Sequence, residues 1–193
     1  INKSKSYLKY IFKIKGMCYS INNLEIEHEI KINKIPDINS SSFMDEIVRS
    51  KIDLVISIAS PKIFSKRLLG INEIKFINLH SSLLPDYKGR QPLFWALLNS
   101  EKKAGVTAHI MSEKLDEGNI LMQKSFIINE YDTLHTLYQK VISIGPIVLR
   151  IATDLVRIKN YRGISQRSSN SKTYFLPTKV DRLKFAQLGK KFL

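Results

Sequence analysis

The sequence predicts an α/β domain, a sheet whose strands are joined by crossover helices, and three observations carry that expectation. Two short β-branched runs, Asp53 to Ala59 and Lys75 to Leu79, have the composition of strands buried in a parallel sheet. Helical patterns alternate with the strand patterns. The longest of them, Thr133 to Ile158, reads as a single helix. Length agrees: 193 residues with 44% hydrophobic and 25% charged side chains suit one domain with a real core. Such a content of Leu, Ile, Val and Phe excludes disorder as a description of the whole chain. No stretch approaches the roughly 20 apolar residues of a membrane span, and no signal-peptide apolar region follows a basic start.

The elements follow in order. Residues 1–34 form an atypical basic segment in which positions 7–15 alternate loosely between apolar and basic until Gly16 breaks the pattern. The first residue is Ile1, as expected of a sequence that begins inside a longer chain. Ile35-Pro36-Asp37 reads as a short extended lead. Asn39 to Ser42 then offer helix-capping groups, and Phe43, Met44, Ile47 and Val48 recur at helical spacing. After the run 53–59, Pro61 suits the first turn of a helix through Leu69. Beyond the second run and a loop rich in Pro and Gly, a helix is expected from about Pro92 to Leu98. Strands are expected at Gly105 to Met111 and Asn119 to Ile128. In the long helix, Gly145-Pro146 is the expected point of disturbance. Gly163 to Lys172 is polar and Ser-rich and reads as a flexible surface connection. The expected division is therefore a basic segment at 1–34, a core at 35–160, and a basic tail with a short helix at 161–193.

The net charge of +14 is unevenly placed. Residues 1–15 carry +5 and residues 157–193 carry +9, while 16–156 sum to zero. A basic end can bind phosphate or nucleic acid; an Ile- and Lys-rich chain also uses lysine as its default solvated residue. The single cysteine, Cys18, excludes an intramolecular disulfide framework and a Cys-rich zinc site. It reads as a small, partly buried apolar residue and fits a reducing, cytoplasmic location.

Chemistry-bearing residues cluster after the second run. Asn78 and His80 stand at i and i+2, on one face of a strand tip, where open α/β sheets bind ligands. An amide beside an imidazole suits stabilisation of an oxyanion; a structural role fits the position as well. Leu115-Asp116-Glu117-Gly118 places a carboxylate between two expected strands. A carboxylate can orient an imidazole and raise its pKa, and the same segment is also an ordinary Asx-Gly turn. His28, His109 and His135 lack metal-ligand spacing and read as surface or packing residues, so no metal is expected.

Taken together, Asn78-Leu-His80-Ser-Ser-Leu-Leu-Pro85, Tyr87-Lys-Gly89 and Leu115-Asp116-Glu-Gly118 resemble the folate-dependent formyltransferases in order, spacing and residue type. The resemblance runs from about Ile35 to Ile128. It implies a Rossmann-like core with a mostly parallel sheet, binding N10-formyltetrahydrofolate as formyl donor. It carries the family's catalytic Asn, His and Asp onto Asn78, His80 and Asp116. Asn78 and a protonated His80 would then donate hydrogen bonds to the formyl oxygen as charge develops. Asp116 would hold the imidazole, favour its charged form and accept the amine's proton. The same resemblance assigns the folate pocket to the segment Ala59 to Phe64, with Ser60, Pro61, Lys62 and Ile63, faced by Met111 to Asp116, with Met111 and Leu115; Ile63 and Phe64 fit an ordinary core role as well. Ser81 and Asp86 depart from the residues frequent at those places. The family's first strand and helix are not legible in residues 1–34, so that unit is expected to be missing and the sheet to show an unfilled edge.

Gly89-Arg-Gln-Pro92-Leu-Phe-Trp95-Ala looks like the methionyl-tRNA and sugar-nucleotide branches. Trp95 is expected to pack inside. Tyr174 through Leu193 resembles the tail of short relatives, several of which act on amino sugars attached to nucleotides. The expected acceptor is therefore a nucleotide-linked amino sugar or methionyl-tRNA. A reading of another class, a truncated, non-catalytic basic binding domain, stands beside it.

Overall fold

In a computed structural model, residues 31–166 and 171–193 are described. The loosely alternating segment 7–15, Gly16, Cys18 and His28 lie outside the described residues. The chain divides into one unit ending at Asp37 and a second from Ile38 to Leu193; the architecture below is that of the second.

Helix α1 (Ser41–Arg49) starts where expected, because the Ser40 hydroxyl accepts a hydrogen bond from the Phe43 N–H. Its buried residues, Met44 and Ile47, lie on one stripe. Strand β1 (Leu54–Ile58) follows, then a short helix α2 (Lys66–Leu69) capped by Ser65. Pro61 lies in the loop before α2, so the helix expected to begin there is shorter by a turn; the Ser65 side chain caps Leu68 and fixes the later start. Strand β2 (Lys75–His80) pairs in parallel with β1, Ser57 opposite Asn78.

The chain then makes β3 (Lys88–Gly89), α3 (Pro92–Leu98), β4 (Lys103–Ile110) and β5 (Ile120–Ile127). The four-stranded sheet has the order β1-β2-β4-β5. β4 runs antiparallel to both of its neighbours, so β1, β2 and β5 share one direction. Its hairpin with β5 shifts register between Ala108 and His109. Among the described residues β1 is an edge. Ile56 and Ile58 are 43% and 59% exposed there, so the run read as buried on both faces is covered on one.

Helices lie on both faces. Successive residues of β2 point to opposite sides, Phe76 into a cluster with Met44, Ile47 and Leu68, and Ile77 into the main core. That main core is closed by α4 (Leu134–Arg157), through Leu137, Val141, Val148 and Ala152. Thr133 and Thr136 form a capping box at its start. Pro146 sits inside α4, which continues through it. At Gly145 a Cβ would stand 3.2 Å from Leu79, so the small residue lets the helix approach the sheet.

The C-terminal segment is built into this core. β6 (Thr173–Tyr174) pairs in parallel with β3, and α5 (Lys179–Gln187) buries Phe185 completely. Phe185 stacks on Phe94 at 4.7 Å and lies tilted against Phe192 at 4.9 Å. Trp95 is half-buried against Phe94 and Tyr174, and its indole N–H donates to the carbonyls of Arg90 and Phe175.

Candidate active site

Asn78 and His80 leave the same face of β2 near its carboxyl end, as the strand period requires. Sheet pairing sets Asn78 opposite His109 of β4. Asp116 enters from the turn after β4, in a left-handed backbone conformation with φ +54°. The structure thus brings Asn78, His80 and Asp116 together, with His80 and Asp116 both buried.

Contacts around Asp116 are specific. Its Oδ2 accepts the Gly89 N–H at 2.8 Å and faces His80 Nδ1 at 3.7 Å. Its Oδ1 lies 3.5 Å from Asn78 Nδ2 and 3.5 Å from His109 Nε2. Gly89 is required for this approach: its φ is +93°, and a Cβ there would stand 2.2 Å from the Tyr174 carbonyl oxygen. Gly118 is required by crowding, because a Cβ would come within 1.7 Å of the Ile110 carbonyl oxygen.

The hydrogen bonds fix both imidazole tautomers. His80 Nε2 lies 2.9 Å from the Tyr87 carbonyl, which can only accept, so Nε2 carries a proton and Nδ1 is the nitrogen turned to Asp116. By the same logic His109 Nδ1–H donates to the Ile110 carbonyl at 2.9 Å, leaving its Nε2 lone pair to accept from Asn78 Nδ2 at 3.2 Å. His109 thereby orients the Asn78 amide.

Burial pushes the His80 pKa below its ordinary 6.5, outweighing the opposite pull of Asp116 and of the Tyr87 carbonyl. The charged imidazole expected from the sequence is therefore not the resting form; desolvation wins over the carboxylate. Burial also opposes ionisation of Asp116. The neighbouring imidazoles of His109 and His80 and the hydrogen bond from the Gly89 N–H together overcome it, and its pKa is lowered. At neutral pH the site holds a carboxylate and a neutral imidazole with a free Nδ1 between them.

The residues assigned to the folate pocket are exposed or half-buried. Ser60, Pro61, Lys62 and Ile63 are exposed on the loop after β1. Their hydrogen bonds are local or to Asn39, which donates to the Ile63 carbonyl at 3.0 Å and accepts from the Ser65 N–H at 2.8 Å. Leu115 is 42% exposed, and Met111 packs against the cluster around Phe76. A 3.1 Å ion pair between Lys66 and Glu113 links the segments carrying these two groups of residues.

Sequence reasoning missed three participants. His109, read as a surface or packing residue, is 2% exposed and touches both Asn78 and Asp116. Only the antiparallel pairing of β4 with β2, 31 residues apart, puts it there. Lys88 is buried and paired with Glu117 at 2.9 Å, holding that carboxyl below its usual range. Gln166 falls in the stretch read as a flexible connection, yet its Nε2 donates to the carbonyls of Asp116 and Gly118, each at 2.8 Å. Its Oε1 is the buried side-chain atom without a partner among the described residues. Leaving such an acceptor unpaired costs about 1–3 kcal/mol. Residues 167–170 of the same stretch lie outside the described residues.

Among the described residues no helix is long and apolar enough to cross a membrane, and no cluster of His, Cys, Asp or Glu has metal-binding geometry. Comparison with known proteins then bears on the arrangement. The chain is 35% identical over 161 residues to the methionyl-tRNA formyltransferase of Borrelia garinii subsp. bavariensis, which covers 82% of this chain and 51% of that protein. It is 40% identical over 122 residues to the bifunctional polymyxin resistance protein ArnA of Wigglesworthia glossinidia brevipalpis, covering 63% of this chain and 19% of that one. The chain spans about half the length of the methionyl-tRNA formyltransferases it matches. Among solved structures it resembles the formyltransferase PseJ of Anoxybacillus kamchatkensis, seen with UDP-4,6-dideoxy-4-formamido-L-AltNAc and tetrahydrofolate. There the TM-score is 0.65 and the identity 26%, over 87% of this chain and 85% of that one. A family model described as formyl transferase matches residues 33–153, a stretch that holds Asn78, His80, His109 and Asp116, and the chain belongs to that formyl transferase family.

Proposed function

We propose that this protein transfers a formyl group from N10-formyltetrahydrofolate to a primary amine carried by a nucleotide-linked amino sugar. The observation that carries the reading is the convergence of half-buried Asn78 with buried His80 and Asp116 in one cluster. The groups suit the substrates: an amide N–H for a formyl oxygen, and an imidazole nitrogen backed by a carboxylate for an amine's proton. When bound, the folate supplies the formyl carbon; its bond to the acceptor nitrogen forms as its bond to N10 breaks, and N10 takes up a proton.

Asn78 Nδ2 donates to the formyl oxygen as negative charge develops there, a contribution worth roughly 3–4 kcal/mol. Neutral His80 accepts the acceptor amine's proton at Nδ1, and Asp116 Oδ2 stabilises the imidazolium so formed. His109 keeps the Asn78 amide turned correctly. Ser60 to Ile63, with Met111 and Leu115, would hold the pterin. The amino-sugar acceptor is supported by the likeness to PseJ along most of this chain. Methionyl-tRNA is the second reading, supported by 35% identity to an enzyme of that name.

The test is incubation with N10-formyltetrahydrofolate and either a UDP- or dTDP-linked amino sugar or methionyl-tRNA, following release of tetrahydrofolate. Release with the sugar nucleotide supports the proposal; release only with methionyl-tRNA reassigns the acceptor. No release with any acceptor, together with steeply salt-dependent tRNA binding and no folate binding, would leave the basic binding domain instead.

A further inference from the structure

We infer that Gln166 is a positioning residue of this site, a clamp on the main chain of the Asp116 turn. The turn is poorly held by its own bonds. Within it the Glu117 N–H reaches the Lys114 carbonyl at a long 3.3 Å, and Asp116 itself occupies a left-handed conformation that a non-glycine residue adopts at a cost. The missing restraint comes from fifty residues away. Ile120 and Ile164 exchange two backbone hydrogen bonds of 2.8 Å, and Asn119 Nδ2 donates to the Arg162 carbonyl at 2.7 Å. These ties deliver the Gln166 amide to the carbonyls of Asp116 and Gly118, both at 2.8 Å.

The amide orientation is enforced. Turned over, its oxygen would meet two carbonyl oxygens, so Nε2 must face the turn and Oε1 must be left buried and unpaired. Among the described residues, this bond is the one that holds the carbonyl of Asp116. Without it the peptide after Asp116 is free to relax its backbone. Its carboxylate would then leave the Gly89 N–H at 2.8 Å and His80 Nδ1 at 3.7 Å. Gln166 touches neither substrate nor reacting atoms; it acts through Asp116.

The consequence for turnover rests on the formyl-transfer reading, whereas the geometry does not, and the test keeps the two apart. In Gln166→Leu, which keeps the shape and loses the donor, kcat is expected to fall about 10- to 100-fold with the donor KM unchanged. The His80 titration midpoint, read by NMR, is expected to move further down, because the Asp116 pull that raises it weakens. Asp116 and His109 are the titratable groups that act on His80. Gln166→Lys, a slightly longer side chain with donors only, should restore most of the kcat loss, while its positive charge keeps the His80 midpoint low. Gln166→Leu with unchanged kcat and an unchanged His80 midpoint overturns the inference. So does equal loss in both variants matched by an equal fall in Tm, which would mark packing alone. If the parent protein transfers no formyl group, the functional reading fails and the His80 midpoint decides the clamp by itself.

Discussion

The turn around Asp116 and the loop after β1 differ in how they are held. Asp116 is buried and tied through its carboxylate, its carbonyl and its neighbours to β2, β3, β4 and Gln166. Ser60 to Ile63 are exposed and tied mainly to Asn39. On the proposed formyl transfer, groups that move protons need fixed distances, and a surface that admits a flat, polar ring needs open edges. One region therefore spends conformational strain and desolvation on precision, while the other keeps both low.

The largest effect expected from breaking the first region is chemical. His80→Ala should lower formyl transfer by about 10²- to 10⁴-fold in a tetrahydrofolate-release assay, with the fold retained by circular dichroism. Full activity in that variant would remove His80 from the mechanism. Next in size, Gly118→Ala forces a Cβ against the Ile110 carbonyl and should cost about 1–3 kcal/mol in urea denaturation; an unchanged midpoint would show that the turn is looser than described.

A pH effect comes third. The folded-state pKa of His80 lies below its ordinary 6.5, so the folded state resists protonation that the unfolded chain accepts. Stability is then retained above pH 6.5 and declines as pH falls from there towards the folded pKa, with Asp116 adding a second decline below its ordinary 3.8. In His80→Gln the first decline should be shallower; an identical slope would contradict the burial of a neutral imidazole. The smallest effect sharpens the contrast from the other side. Ile63→Ser, at a position 71% exposed, should shift stability by no more than about 0.5 kcal/mol. The same change should weaken folate binding about tenfold by fluorescence titration, through lost apolar contact worth ~1.5 kcal/mol. Unaltered folate affinity would detach this loop from the pocket.

Local patterns carried much of the fold. Pro92 to Leu98 is a helix as expected, and α4 begins and ends within a residue of Thr133 and Ile158, because capping groups and a long apolar stripe mark helices within a single window. Asn78 and His80 were legible as a pair because a strand's period is two. What was not legible depends on distant pairing. His109 meets Asn78 only because β4 is laid antiparallel beside β2, and no spacing within residues 103–110 encodes that choice. Gln166 was hidden in a Ser-rich stretch whose polarity suggests solvent. In α5 only Phe185 is buried, too sparse a pattern to foretell a segment seated in the core. The charge state of His80 was misjudged because a carboxylate is visible in a sequence and desolvation is not.

The last residues of the chain also serve the first turn of a helix nearly sixty positions earlier. The carbonyls of Lys191 and Phe192 accept the N–H groups of Leu134 and His135 at 2.9 and 3.0 Å, bonds that a helix cannot supply to its own first turn. Those two amides are therefore a built-in gauge of docking. Their hydrogen-exchange rates should rise together whenever the C-terminal residues lift away, while the rest of α4 stays protected.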